Sequence, residues 1–409
     1  MSSKGNKGIN HKQIKVTNQT LIINEVRKSD GLSRSDLARA LRLSAPSIST
    51  NIDELISREI ILEKGIGSAA FGRKPIHIEF NNEYGYVVAV DMSGGAFRIA
   101  LSDLSGTNIL EYGLISDVVQ ITSEVIERTM NTIAEMLARR KIPPHKLLCI
   151  CIGSPGFIEP STGSVVYAPR IVGFTGTSLR DTFAERFNTL VLIKNDMNCA
   201  AVGEHLFGTG QHYYSFINIL IDVGIGSGLI LNEKLYEGAR GSAGEIGLWV
   251  NDTQEAVRQN KVTLNNMLDY QVSVFGLICQ VREAKPDLFI SLGQGEVNLH
   301  LVPEYAQIMF NAARAGDEQV ISIIREAAIR LGCVLKNLYE LLDLEAIIIG
   351  GLILEIEDIF MPPLEQFLND NVSGKVKVLT SSLGDKGVIY GAIGQGINHV
   401  LVDIINRIA

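Results

Sequence analysis

Residues 86–103 read YVVAVDMSGGAFRIALSD. A run of β-formers ends at Asp91, Gly94 and Gly95 turn the chain, and an apolar stretch returns: a strand, a tight turn and a strand. Residues 218–232, NILIDVGIGSGLILN, repeat the pattern with a terminal Asp222 and a glycine-rich turn. Two such hairpins, about 130 residues apart, fit a duplicated fold with two lobes and a cleft between them. Glycine-rich turns after a strand can hold phosphate, because bare backbone N–H groups approach its oxygens. Further strands are expected at LLCICIG, TLVLIKND and AIIIGG, alternating with helices such as SEVIERTMNTIAEMLARR and EQVISIIREAAIRLGCVLKNLYELL. The expected class is therefore α/β.

The chain has 409 residues, which implies two or three domains. Its 46% apolar and 20% charged residues suit a globular protein with a large core. No continuous apolar run reaches the roughly 18 residues of a membrane span. The opening MSSKGNKGINHKQIK is polar and basic and lacks an apolar signal core, so a cytoplasmic protein is expected. Five scattered cysteines, including Cys149 and Cys151 on one face of a strand, read as small apolar residues of a reduced core.

The net charge of −8 is unevenly spread. Residues 1–80 carry 13 basic and 8 acidic side chains, leaving 24 and 37 for the remainder. A basic head on an acidic body points to a polyanion-binding module. Residues 1–15, with Lys4, Lys7, Lys12 and Lys15, are expected to be a disordered basic tail. In residues 16–80, NQTLIINEVRKSDG has helical spacing and stops at Gly31. Ser33 can cap a second helix with Asp36 as the reciprocal acid. Ser44 can cap a third, with Pro46 in its first turn and Ile48, Ile52, Leu55 and Ile56 as its buried stripe. Ser44, Ala45, Pro46, Ser47, Ser49, Thr50 and Asn51 keep the start of that helix small and polar, which suits entry into a major groove. IILEKG and RKPIHIEFN then form a hairpin whose tip carries Arg73 and Lys74, placed to meet phosphate or the minor groove. The stretch resembles winged helix-turn-helix repressor domains, so double-stranded DNA is the expected partner. A helical protein-interaction domain is the alternative.

In the body, VVAVDMSGG, CIGSPGFIEPSTG, YAPRIVGF, IKNDMNCAAVGEHLFG, IDVGIGSGLILNEKLYEGARGSAGEIG and IIIGG together resemble the ROK family, named for repressor, open reading frame and kinase. They run in family order through residues 84–395. The resemblance implies a two-lobed, actin-like sugar-kinase body over residues 81–409, a duplicated ribonuclease H-like fold. A winged head ahead of this body is the layout of the family's sugar-responsive repressors. The effector set it implies is Asn195, Asp196, Glu245, Asp269, Arg170 and Gly156. In the family's kinases the Asp of the Asn-Asp pair is also the catalytic base. Read locally, Asp196 could equally be an N-cap acid, and Arg170 could be a bidentate anion ligand or an exposed loop residue.

Departures from the family pattern matter as much. The kinases' Asp-x-Gly-Gly-Thr-Lys is here Asp91, Met92, Ser93, Gly94, Gly95, Ala96, with Arg98 two residues on. The kinases' Gly-Thr-Gly is here Asp222, Val223, Gly224. A carboxylate there repels polyphosphate. The family's zinc module is also missing: Leu248 stands at its histidine, and residues 249–268 contain neither Cys nor His. The expectation is a sugar-responsive DNA-binding regulator, a repressor acting as a homodimer or higher homo-oligomer, with no catalytic residue, cofactor or metal. An ATP-dependent sugar kinase with a DNA-binding head is the alternative.

Overall fold

A computed structural model of the chain describes residues 11–29, 31–66, 76–93, 95–116, 118, 120–159, 165–167, 179–251, 253–293, 295 and 297–408. The head begins with helix α1 (His11–Arg27), which takes in residues 11–15 that the sequence reading gave to the tail. Strand β1 (Leu32–Ser33) leads into helices α2 (Arg34–Leu41) and α3 (Ala45–Ser57). Ser33 and Asp36 form the expected capping box, and Ser44 caps α3 by accepting from Ser47 N. Strands β2 (Ile61–Ile66) and β3 (Ile76–Phe80) pair antiparallel, consistent with the expected wing, and β1 joins them in the order β1-β3-β2. The wing tip with Arg73 and Lys74 lies outside the described residues.

The first lobe contains β4 (Tyr86–Asp91), β5 (Phe97–Asp103), β6 (Ile109–Ile115), helix α4 (Ser123–Arg139) and β7 (Leu147–Ser154). A short pair, β8 (Phe157–Ile158) and β9 (Val165–Tyr167), is followed by α5 (Leu179–Phe187) and β10 (Leu190–Asn195). Helix α6 (Asp196–Phe207) crosses to the second lobe, which opens with β11 (Phe216–Ile221), β12 (Ile225–Leu231) and β13 (Lys234–Leu235). Helices α7 (Thr253–Gln259), α8 (Leu268–Val272), α9 (Val274–Ala284), α10 (Val302–Arg314) and α11 (Glu318–Leu342) then precede β14 (Ala346–Gly350). Helix α12 (Glu357–Asn371), β15 (Lys377–Thr380) and α13 (Gly387–Ile408) complete the chain.

The duplication is visible in the sheets. One runs β10-β7-β4-β5-β6 and the other β15-β14-β11-β12-β13. In each, the strand of the quoted hairpin is central, antiparallel to its return strand and parallel to its other neighbour. The central strands are buried along nearly their whole length, which explains their continuous apolar runs rather than alternation. The two hairpins therefore occupy equivalent places in the two lobes.

Helices α6 and α13 follow the equivalent strands β10 and β15 and pack against one another between the lobes. Their contact is made close by glycines: a Cβ on Gly391 would overlap the Cys199 carbonyl and stand 2.9 Å from Gly203 N. The far end of α13 meets the head. Val400, Leu401 and Ile404 share one apolar cluster with Ile22, Ile23, Val26 and Phe80, and Arg58 Nη1 donates to Arg407 O at 3.4 Å. The stretch Gly384–Arg407 is long and apolar enough to cross a bilayer by length and composition alone. Single polar residues interrupt the helix, so it contains no continuous apolar run of that length. It is mostly buried and serves as the core helix that joins lobes and head.

Candidate ligand cleft and nucleic-acid-facing helix

Strand β10 delivers Asn195 and Asp196 to its carboxyl end, where open α/β sheets place ligands. Asn195, not Asp196, is the N-cap: its Oδ1 accepts from Asn198 N at 3.0 Å. Its Nδ2 donates to Gly156 O at 3.1 Å, which brings the predicted Gly156 to the same spot. Gly156 has φ +97°, a left-handed conformation that favours glycine. With the cap supplied by its neighbour, Asp196 is left over for something else. It is 7% exposed, and Met197 N donates to its Oδ1 at 2.8 Å. Burial, and then the charges of Asp91 and Glu245, push its carboxyl up to about 7.

Three carboxylates are thus within electrostatic reach of one another: Asp91 from β4, Asp196 from α6 and Glu245 from the loop after β13. Glu245 is held there by its predecessor. Gly244 lies against Ser227 of β12 so tightly that a Cβ would sit 2.5 Å from the Ser227 carbonyl oxygen, and Ser227 Oγ donates to Gly244 O at 2.7 Å. Glu245 is half-buried, and burial raises its carboxyl. Asp269 is on α8, facing the second hairpin, where its Oδ1 accepts from Ile225 N at 2.7 Å. One of its oxygens is thus committed to holding the start of β12. Arg170 lies outside the described residues.

The aspartates that end both hairpin strands are engaged within the fold. Asp91 is 1% exposed; its Oδ1 accepts from Ser93 N at 2.8 Å and its Oδ2 pairs with Arg98 at 3.4 Å. Arg98 also reaches Asp385 at 3.1 Å, just before α13. In the second hairpin, Asp222 Oδ1 accepts from Leu352 N at 2.7 Å. A backbone donor that an anion could use already has a carboxylate on it. Among the described residues no group of three or more His, Cys, Asp or Glu could hold a metal ion.

At the head, Ser44, Ala45, Pro46 and Thr50 are exposed at the start of α3 and form one open face. Ser47 and Ser49 are half-buried and engaged: Ser47 Oγ accepts from Asn18 at 3.4 Å and Ser49 Oγ from Arg34 at 3.0 Å. Asn51 does not belong to this face. It is 5% exposed, and its Nδ2 donates to Ser47 O at 2.8 Å. Its position three residues after Ile48 and four before Leu55 puts it on the buried stripe. The sequence reading passed over Arg42, which is exposed at the C-cap of α2 with φ +53° in the turn between the two helices. A basic residue between two such helices was the available signal.

The profile of the ROK family matches residues 87–260 and 300–394. A xylose repressor of Caldicellulosiruptor bescii is 26% identical over 398 residues, spanning 96% of this chain and 98% of that protein. A glucokinase of Halalkalibacterium halodurans is 30% identical over 315 residues, spanning 75% of this chain and 93% of that protein. The crystal structure of a ROK family transcriptional regulator, a homologue of the E. coli Mlc protein, superposes with a TM-score of 0.77 at 23% identity over 96% of this chain and 98% of that one.

Proposed function

The chain belongs to the ROK family, and on that premise we propose that it is a sugar-responsive transcriptional repressor. Its head binds operator DNA and its cleft binds a sugar without phosphorylating it. The observation that carries this reading is the extent of the likeness: the match to the xylose repressor runs through head and body alike, whereas the glucokinase match takes in 75% of this chain. The cleft supports it. Asp196 and Glu245 offer carboxylates to hydroxyl groups, each charge-assisted bond being worth about 1.5–3 kcal/mol. Occupation begins at the first residue of α6, α6 packs on α13, and α13 ends against the head. A ligand that shifts α6 can thereby change the pose of α3, and a coupling of about 1–3 kcal/mol changes operator affinity some 5- to 150-fold. Two copies of the chain would present paired α3 helices to half-sites one helical turn apart. Such a protein works on DNA in the cytoplasm.

The test is binding of the full-length protein to the DNA upstream of its own gene, against random duplex in moderate salt, with and without D-xylose, D-glucose and N-acetyl-D-glucosamine. Selective binding that one sugar alters is expected; no preference for the upstream DNA overturns the proposal. The placement of Asp196 favours a second reading, a sugar kinase. Sugar-dependent ADP release that Asp196→Asn abolishes would establish it, and no turnover across the sugars would dismiss it.

A further inference from the structure

Beside the Asn195–Asp196 pair lies a small crevice between the lobes. Lys194, Asn195 and Asn198 from the first lobe and α6 line it on one side, and Glu237 and Gly241 from the loop after β13 line it on the other. Its volume of about 10 Å³ is close to the space one water molecule needs. Lys194 Nζ stands 3.2 Å from Glu237 Oε1, with side chains 17% and 32% exposed, so the pair crosses from one lobe to the other. Asn198 is 3% exposed, and its Oδ1 has no hydrogen-bond partner among the described residues. A buried amide oxygen left in that state is destabilising, and native interiors ordinarily satisfy such atoms.

The lining defines what could complete it. Lys194 offers N–H donors, Glu237 offers carboxylate oxygens, and Asn198 lines the crevice with an amide. A hydroxyl is the group that can accept from the first and donate to one of the others. An anionic substituent would meet Glu237 on one side and buried Asp196 next door, with Lys194 already neutralised. A cationic one would meet Lys194. We infer that the crevice is a subsite for one hydroxyl of the ligand, so that the cleft selects an uncharged sugar over the corresponding sugar acid or phosphate. This rests on the reading of the cleft as a sugar site. It adds Lys194, Asn198 and Glu237 as specificity residues across the lobe boundary.

A chemical double-mutant cycle tests it. Calorimetry on the full-length protein first identifies which of D-xylose, D-glucose and N-acetyl-D-glucosamine binds tightest. The mono-deoxy analogues of that sugar are then titrated into wild type, Asn198→Ala and Glu237→Gln. The expected result is one deoxy position that costs wild type about tenfold or more in affinity and costs either variant little, because the crevice partner is already gone. Equal losses in wild type and variants at every position overturn the inference, as does wild-type preference for D-glucose 6-phosphate or D-glucuronate. If Asn198→Ala fails to fold, the more exposed Glu237→Gln carries the cycle alone. If wild type binds none of the three sugars, the sugar-site reading itself fails and the inference falls with it, a result distinct from uniform losses.

Discussion

Gly391 of α13 lies against Cys199 of α6 with no room for a side-chain carbon between the two backbones. The obstacle is a carbonyl oxygen rather than the end of a flexible side chain, so it cannot move aside. Gly203 returns the relationship, since a Cβ on it would stand 3.1 Å from Gly391 N. Gly391→Ala should therefore lower stability by about 1–3 kcal/mol, the usual cost of overpacking. Because head and body share an apolar cluster through α13, the loss should appear as a single shifted transition in thermal unfolding. Early release of the head alone would show that the shared cluster does not bind the units together.

Asp196 makes stability and ligand binding respond to pH in opposite directions. Its carboxyl is raised from an ordinary 3.8 to about 7 by burial, then by Asp91 and Glu245. Between those values the folded chain keeps a proton that the unfolded chain has lost. Stability therefore declines as pH rises from about 4 to about 7, by up to about 1.4 kcal/mol per pH unit for this one group. Asp196→Asn should flatten that decline. Sugar hydroxyls, by contrast, donate best to the ionised form, so affinity should rise between pH 6 and pH 8. The variant should lose about ten- to hundredfold in affinity at pH 8. Urea unfolding and sugar titrations at both pH values check this; parallel pH profiles for wild type and variant would refute it.

The start of α3 divides into residues that face outward and one that faces inward. Thr50 is exposed, and Thr50→Glu places a carboxylate where DNA phosphates or base edges would lie. Operator affinity should fall by about tenfold or more, with little change in melting temperature. Asn51→Ala removes the 2.8 Å bond to Ser47 O inside the head. It should cost about 0.5–1.5 kcal/mol of stability while leaving operator affinity nearly intact in the folded protein. Fluorescence anisotropy beside thermal melts separates the two effects. An Asn51→Ala protein that folds normally but no longer binds DNA would place Asn51 on the contact face after all.

What could be read from the sequence was local or repeated. Two similar hairpins announced two similar sheets, and the strand orders bear this out because each hairpin supplies the central strand of its sheet. Ser33 with Asp36, and Ser44 with Pro46, are short-range capping signals and lie where expected. Asn51 was misplaced although its helical phase with Ile48 and Leu55 was available; its polarity outweighed its position. Other features depend on partners distant along the chain. Asp269 meets Ile225 N, 44 residues earlier, and Lys194 meets Glu237, 43 residues later. Arg98 meets Asp385 across 287 residues. No periodicity encodes such pairs, because they exist only once the lobes are stacked. Arg98 shows the effect most clearly: read locally it is a poor phosphate ligand, and in the fold it neutralises a buried aspartate.

The last prediction concerns that arginine. Arg98 is the charged partner of Asp91, whose carboxyl burial raises while Ser93 and Arg98 pull it back. Arg98→Ala should cost about 1–3 kcal/mol, because a buried acceptor loses part of its compensation. Without the guanidinium, the Asp91 carboxyl should rise further and keep its proton to higher pH. A raised folded-state carboxyl loses stability as pH climbs above its unfolded value, so the gap between wild type and variant should be wider at pH 8 than at pH 5. Since Arg98 is engaged by Asp91 and Asp385, and Asp222 covers the Leu352 donor, millimolar Mg-ATP should leave the wild-type melting temperature unchanged. A nucleotide with a Kd near 10 µM would instead stabilise the protein by about 2.7 kcal/mol at 1 mM. That shift is easily measured, and observing it would show that the first hairpin still opens to phosphate.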